Sequence, residues 1–185
     1  AFEICDWLGA PPDYHALPVG NAGNITAHWM GYSEYHEAGV TDSRPSMLGF
    51  QAAGSCPIVM GEVCEKPETV ATAIRIGNPA RWQEASAALN ESDGQIHAVT
   101  DDEILEAYRE LSGEEGIFCE PASAASWAGL KKLAAEGFFE ARECTIAATL
   151  TGHGLKDPDS AVKMAQEPER APNDLGAVVE MLGLA

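Results

Sequence analysis

Basic residues are scarce in this sequence: 11 Lys and Arg stand against 29 Asp and Glu, a formal charge of −18 and a pI near 4.4. With no basic cluster to offset repulsion, nucleic-acid backbones and anionic membranes are excluded as expected partners. Cysteine is sparse and unpaired in pattern. Cys5, Cys56, Cys64, Cys119 and Cys144 form no C-x-x-C and leave an odd one, which argues against a disulfide framework and for a reducing cytoplasm. No apolar run approaches membrane-spanning length and no signal peptide is visible, so the expected location is cytoplasmic. Metal-ligand spacing is missing too. His28 and His36 lie eight positions apart on one expected helix, too far for a two-histidine pair, and no metal is expected.

What is present is one unusual junction. His15 to Val19 is a short apolar run suited to a buried strand, and it gives way to Gly20-Asn21-Ala22-Gly23-Asn24. A helical pattern follows in which Ile25, Trp29 and Tyr32 share one face. A strand, tight loop and helix in that order aim several backbone N–H groups at one point, beside glycines with no side chain and at the positive end of a helix. An anionic phosphate is the natural occupant, the equal alternative being a strand-to-helix turn whose glycines serve geometry alone. The loop lacks the lysine and hydroxyl of G-x-x-x-x-G-K-[ST], and Gly20-x-x-Gly23 is not G-x-G-x-x-G, so neither nucleotide fingerprint is met.

At 185 residues the chain suits one α/β domain spanning 1–185, burying roughly 70% of its unfolded surface. Further strands are expected at Ser46 to Gln51, Gln95 to Val99 and Cys144 to Leu150. Helices are expected over Ile4 to Leu8 with a Gly9 stop, from the cradle to Ala38, over Pro67 to Ile74, and from Arg81 to Asn90. Thr100-Asp101-Asp102-Glu103 predicts a capping box leading a helix with Ile104, Leu105, Tyr108 and Leu111 inward. Glu120 to Gly137 and two short pieces in the tail complete the helices, while Ile58 to Val63 is ambiguous. Apolar strands alternating with helices predict an open, mainly parallel sheet with helices on both faces. Ligands of such sheets lie beyond the carboxyl ends of the strands, where both the cradle and the polar loop Thr151-Gly152-His153-Gly154 are expected. The entry at Ala1 without cap or lead-in suggests the C-terminal portion of a longer chain.

Four segments together carry a resemblance: Leu17 to Asn24, Ala71 to Pro79, Gly116 to Ala125 and Leu150 to Pro158. Taken in order, they resemble threonine synthase, a pyridoxal-phosphate (PLP) enzyme of the tryptophan synthase β-subunit fold group, also called fold type II. The resemblance implies conversion of O-phosphohomoserine and water into threonine and phosphate, by a homodimer. It implies that Gly20, Asn21, Ala22, Gly23 and Asn24 bind the cofactor phosphate, with Asn21 also near the substrate phosphate. It further implies that Thr151 bonds the pyridine nitrogen, that Ala73 packs by the ring face, and that Glu120 lies near the same pocket. For Glu120, a helix-start carboxylate on the macrodipole is an equal reading. The family's Schiff-base lysine corresponds to a position upstream of Ala1, and Lys66, Lys131, Lys132, Lys156 and Lys163 do not match it. Residues 1–185 alone are therefore expected to be inactive. The alternatives are another fold type II enzyme, such as a threonine or serine dehydratase, or a non-catalytic module that binds phosphorylated metabolites.

Overall fold

The computed structural model describes residues 1–139, 143–165, 170–171 and 173–184. Four parallel strands form its sheet: β1 (Tyr14–Pro18), β2 (Ser46–Ala52), β3 (Gln95–Val99) and β4 (Ile146–Ala148), in the order β3-β2-β1-β4. Tyr14 is level with Ser46 on one side and with Ile146 on the other, so β1 and β4 run side by side and end at the same edge. The open parallel sheet is as the alternation of patterns predicts.

Side-chain alternation assigns the two faces. Leu17, Val19 and Met47 point to one side, where α1 (Phe2–Leu8), α2 (Gly23–Glu37) and α4 (Trp82–Glu91) cover them with Cys5, Ile25, Trp29, Tyr32 and Leu89. Ala16, Leu48, Phe50 and Ala52 point to the other. There α5 (Asp101–Gly113) and α6 (Pro121–Ala135) close the core with Ile104, Tyr108, Leu111, Leu130 and Leu133. Helix α6 approaches the sheet so closely that a methyl on Gly129 would occupy the Phe50 ring. Both faces of the parallel sheet are covered, which accounts for the continuous apolar runs of β1 and β2.

Most element ends obey their local chemistry. Gly9 and Gly39 take left-handed backbone after α1 and α2, at φ 76° and 69°. The capping box is formed: Thr100 Oγ1 accepts from Glu103 N at 3.2 Å and the Glu103 carboxylate accepts from Thr100 N at 2.6 Å. The ambiguous Ile58 region is a short helix, α3 (Pro57–Met60), and the tail carries α7 (Pro158–Met164) and α8 (Leu175–Met181).

One expected helix is absent. Pro67 to Ile74 is irregular except for a 3₁₀ turn at Thr72–Ile74. The cause is competition for its polar groups from elsewhere in the fold. Thr69 Oγ1 and Val70 N both donate to the Asp101 carboxylate, and Arg75 Nε donates to the Thr69 carbonyl at 3.0 Å. The fourth strand is also shorter than Cys144 to Leu150, since regular pairing is confined to Ile146–Ala148. Thr149 N still donates to the Ala16 carbonyl at 3.0 Å and continues the approach to β1.

Candidate functional site at the carboxyl ends of β1 and β4

Beyond β1 the chain turns through Gly20 to Ala22 and enters α2 at Gly23. Ala22 caps this helix in left-handed backbone, φ 64°, a conformation that a residue with a Cβ adopts at a cost of order 1 kcal/mol. It is held there from behind. Its carbonyl accepts both Thr26 N at 3.3 Å and Thr26 Oγ1 at 2.8 Å. No side chain caps the helix from Ala22, and among the described residues the amides of Asn21 to Asn24 meet no acceptor. Free N–H groups, an inverted cap and the positive end of a 15-residue helix coincide at one exposed corner.

The two glycines of this corner do different work. A Cβ on Gly20 would stand 2.9 Å from Ile74 Cα and 3.0 Å from the Ala73 carbonyl oxygen, so Gly20 permits the 3₁₀ turn to press against the loop. A Cβ on Gly23 would meet nothing within 4 Å. Fold geometry does not demand a glycine at 23, and the space it leaves clear lies over the uncapped helix start. Asn21 ties the corner to the next motif: its Oδ1 accepts from Ala80 N at 2.7 Å and its carbonyl accepts from Arg81 N at 3.3 Å. Half of the Asn21 carboxamide is thereby committed to the backbone, leaving its NH₂ for a ligand. Asn24 is exposed, and its carbonyl pairs with His28 Nδ1 at 2.9 Å. Ala73 is exposed in the 3₁₀ turn beside Gly20.

Thr151 follows β4 at the same end of the sheet. Its hydroxyl is 3.0 Å from Ser123 Oγ on the first turn of α6, and Gly152 is bound twice to that turn. Gly152 N donates to Ser123 Oγ at 2.7 Å, and its carbonyl accepts from Glu120 N at 2.9 Å. Glu120 is the residue preceding α6, 7% exposed, with no side-chain cap onto its helix. Its carboxylate lies over Gly152 instead, where an added Cβ would fall on it. The Glu120 carboxylate thus faces the Thr151 loop and does not cap its own helix.

Some of the supporting residues were not assigned from sequence. Ser123 and Ser126 sit one helical turn apart on the buried face of α6 and reach Thr151 and the Thr149 carbonyl. Two hydroxyls at i, i+3 in an otherwise alanine-rich helix are the signal that marks them. His15 is fully buried on β1, with Nε2 paired to Thr149 Oγ1 at 2.7 Å and Nδ1 to Tyr32 Oη at 2.9 Å. Burial, with the His28 ring beside it, holds the His15 imidazole down at about 3, so it is neutral and serves as a cross-brace between β1, β4 and α2.

Several cavities lie apart from this corner. One of about 610 Å³ is at the amino ends of the strands by Tyr14, Ser46 and Gln95, and one of about 440 Å³ lies by Thr69, Asp101 and Lys163. Among the described residues there is no cluster of three or more His, Cys, Asp or Glu placed for a metal ion, and no helix long and apolar enough to cross a membrane.

Comparison with known proteins gives the chain a family. Residues 1–152 match the sequence family described as pyridoxal-phosphate dependent enzyme. The chain belongs to that family. It is 57% identical over 185 residues to the threonine synthase of Mycobacterium tuberculosis, covering 100% of this chain and 51% of that protein. Against the threonine synthase of Synechocystis it is 56% identical over 185 residues, covering 99% and 48%. The chain thus spans about half the length of the curated relatives it matches, and it is a threonine synthase homologue, as its four motifs suggest. Among solved structures, a fungal L-serine ammonia-lyase from Rhizomucor miehei superposes with a TM-score of 0.70 at 20% identity, over 88% of this chain and 53% of that one. The two chains share this fold.

The corner suits the family's cofactor in its donor set. Uncapped amides at a helix start match a phosphate, and a hydroxyl at the end of the neighbouring strand matches an aromatic ring nitrogen.

Proposed function

We propose that this chain forms the cofactor-phosphate and ring-nitrogen side of a threonine synthase, converting O-phosphohomoserine and water into threonine and phosphate. One observation carries the reading. The uncapped amides of Asn21 to Asn24 and the Thr151 hydroxyl stand at the same ends of two adjacent parallel strands, β1 and β4. Identity of 57% to a threonine synthase along the whole chain supports the choice of reaction.

In this reading the amides of residues 21 to 24 hold the cofactor phosphate, with the α2 dipole supplying the positive field. Thr151 offers its hydroxyl to the pyridine nitrogen. Gly20 and Ala73 set the depth of the floor, Asn21 offers its remaining NH₂ to a phosphate, and Glu120 borders the ring through Gly152. When bound, PLP supplies a conjugated ring that withdraws electrons from the amino-acid substrate, and a neutral hydroxyl at its nitrogen moderates that pull. Lys156 lies in a 3₁₀ turn five residues past Thr151, and Lys131 and Lys132 pair with glutamates on α5. The lysine that anchors the cofactor is assigned to residues outside this chain, so residues 1–185 alone are inactive. The active species is a homodimer of the complete protein.

The test is an assay of the complete gene product with O-phosphohomoserine and, separately, with threonine. Release of inorganic phosphate with formation of threonine is expected. Ammonia from threonine with no phosphate release overturns the reading in favour of a dehydratase, and PLP binding without either product leaves only a binding module.

A further inference from the structure

Ser123 is completely buried, and its single hydroxyl faces three polar groups: Thr151 Oγ1 at 3.0 Å, the Gly152 amide at 2.7 Å and the Gly152 carbonyl at 3.2 Å. The amide can only donate, and it occupies one lone pair of Ser123. The serine proton must therefore go to the Gly152 carbonyl or to Thr151. The carbonyl already accepts from Glu120 N at 2.9 Å, and it is the more distant of the two. Thr151 needs the proton more. Its own hydrogen has to be free if it is to donate outward into the corner.

We propose that Ser123 is a positioning residue that orients the Thr151 hydroxyl as a donor into the cofactor corner, through the chain Gly152 N–H to Ser123 O–H to Thr151 O–H to ring nitrogen. The proposal rests on the assignment of Thr151 to that nitrogen. Each link polarises the next, strengthening the last bond by about 10–30% per link. The reverse order would run from a protonated ring to Thr151, then Ser123, then the Gly152 carbonyl. It places a second donor on a carbonyl already served. The ring nitrogen is thus held as a hydrogen-bonded acceptor without a proton of its own, and rigidity comes from the first turn of α6, to which Gly152 is bound from both its amide and its carbonyl.

Nitrogen-15 NMR of the complete holoenzyme, reconstituted with PLP labelled at the ring nitrogen, tests the chain link by link. The wild-type resonance is expected in the range of a hydrogen-bonded, unprotonated pyridine. Thr151→Val moves it downfield toward the free pyridine value, and Ser123→Ala moves it in the same direction by a smaller amount. Ser126→Ala, which removes the 3.3 Å bond from the same helix to the Thr149 carbonyl but no link of the chain, moves it less than Ser123→Ala does. If Ser123→Ala fails to fold, Ser123→Cys keeps the shape of the side chain with a slightly larger atom and is expected to give the same ordering, since a thiol is a weak donor. A resonance unmoved by the Ser123 variant that folds, while Thr151→Val moves it, overturns the proposal alone. A wild-type resonance in the pyridinium range overturns the direction of the chain. If Thr151→Val itself leaves the resonance unchanged, the assignment of Thr151 to the ring nitrogen fails, and the proposal with it.

Discussion

Replacing Gly23 by alanine separates what the fold needs from what a ligand needs. Gly23 is the first residue of α2, its φ is not in the left-handed region, and a Cβ there meets no atom within 4 Å. Alanine in a helix is favoured over glycine by about 0.5–1 kcal/mol, mostly through the freedom that glycine has in the unfolded chain. The apoprotein should therefore be stabilised, and its melting temperature raised by about 1 °C in a complete protein of about twice this length. Cofactor binding should move the other way. The methyl group enters the clear space over amides that have no acceptor among the described residues. Losing one or two hydrogen bonds to a charged phosphate costs about 1.5–3 kcal/mol each, so affinity for PLP should fall by at least about tenfold. Thermal unfolding of the apoprotein and equilibrium titration with PLP, both on the complete protein, give the two numbers. A variant that binds PLP as wild type does refutes the cradle. A variant that melts lower refutes the claim that Gly23 is free of structural duty. Valine at the same position adds bulk on the ligand side and should abolish cofactor retention.

Gly152→Ala places a Cβ on the Glu120 carboxylate and should lower both stability and PLP affinity; Glu120→Ala in the same chain removes the obstruction, so the double variant should recover stability beyond additivity in a thermal-unfolding cycle. His15 is held at about 3 against an ordinary 6.5, chiefly by burial, so the folded state binds fewer protons than the unfolded one over that interval. Its contribution is whole above pH 6.5 and drains as pH falls toward 3, at about 1.4 kcal/mol per pH unit, or about 2 kcal/mol by pH 5. An imidazole NMR titration should show His15 neutral at pH 5, and half-protonation near 6.5 contradicts the brace. Thr100→Ala removes the oxygen that accepts Glu103 N and should cost about 1 kcal/mol, read as a lower urea midpoint, with Thr100→Ser restoring most of it.

The parts of this fold that were legible in the sequence are those decided within a few residues. Strands β1 and β2 show as apolar runs because they are buried on both faces, and the capping box shows because Thr100 and Glu103 satisfy each other at a separation of three. Pro67 to Ile74 was misread for the opposite reason. Its helical composition loses to Asp101, which lies over thirty residues away in sequence and takes Thr69 and Val70 for itself. The cradle was half legible. Its glycines and the helix start are local, but the different duties of Gly20 and Gly23 depend on Ala73 and Ile74, which only the folded chain brings against one of them.

The Thr151 side of the corner is held by non-local contacts throughout, so its polar loop at a strand end was legible in the sequence while the groups that fix its hydroxyl were not. A three-residue strand is a weak support for a side chain, and β4 pairs on one side only, with β1. Its loop is held by α6 instead, through Ser123 and Glu120 on Gly152 and Ser126 on Thr149, and by β1 through His15. These contacts span from 23 to 134 positions of sequence. A cradle fixed by its own helix and a hydroxyl fixed by someone else's should respond differently to perturbation. Loosening the first turn of α6 moves Thr151 and leaves the phosphate amides in place. Ser123 variants should therefore retain PLP through its phosphate while changing the electronics of its ring, and Gly23 variants should bind the cofactor more weakly, Gly23→Ala by at least about tenfold and Gly23→Val beyond retention.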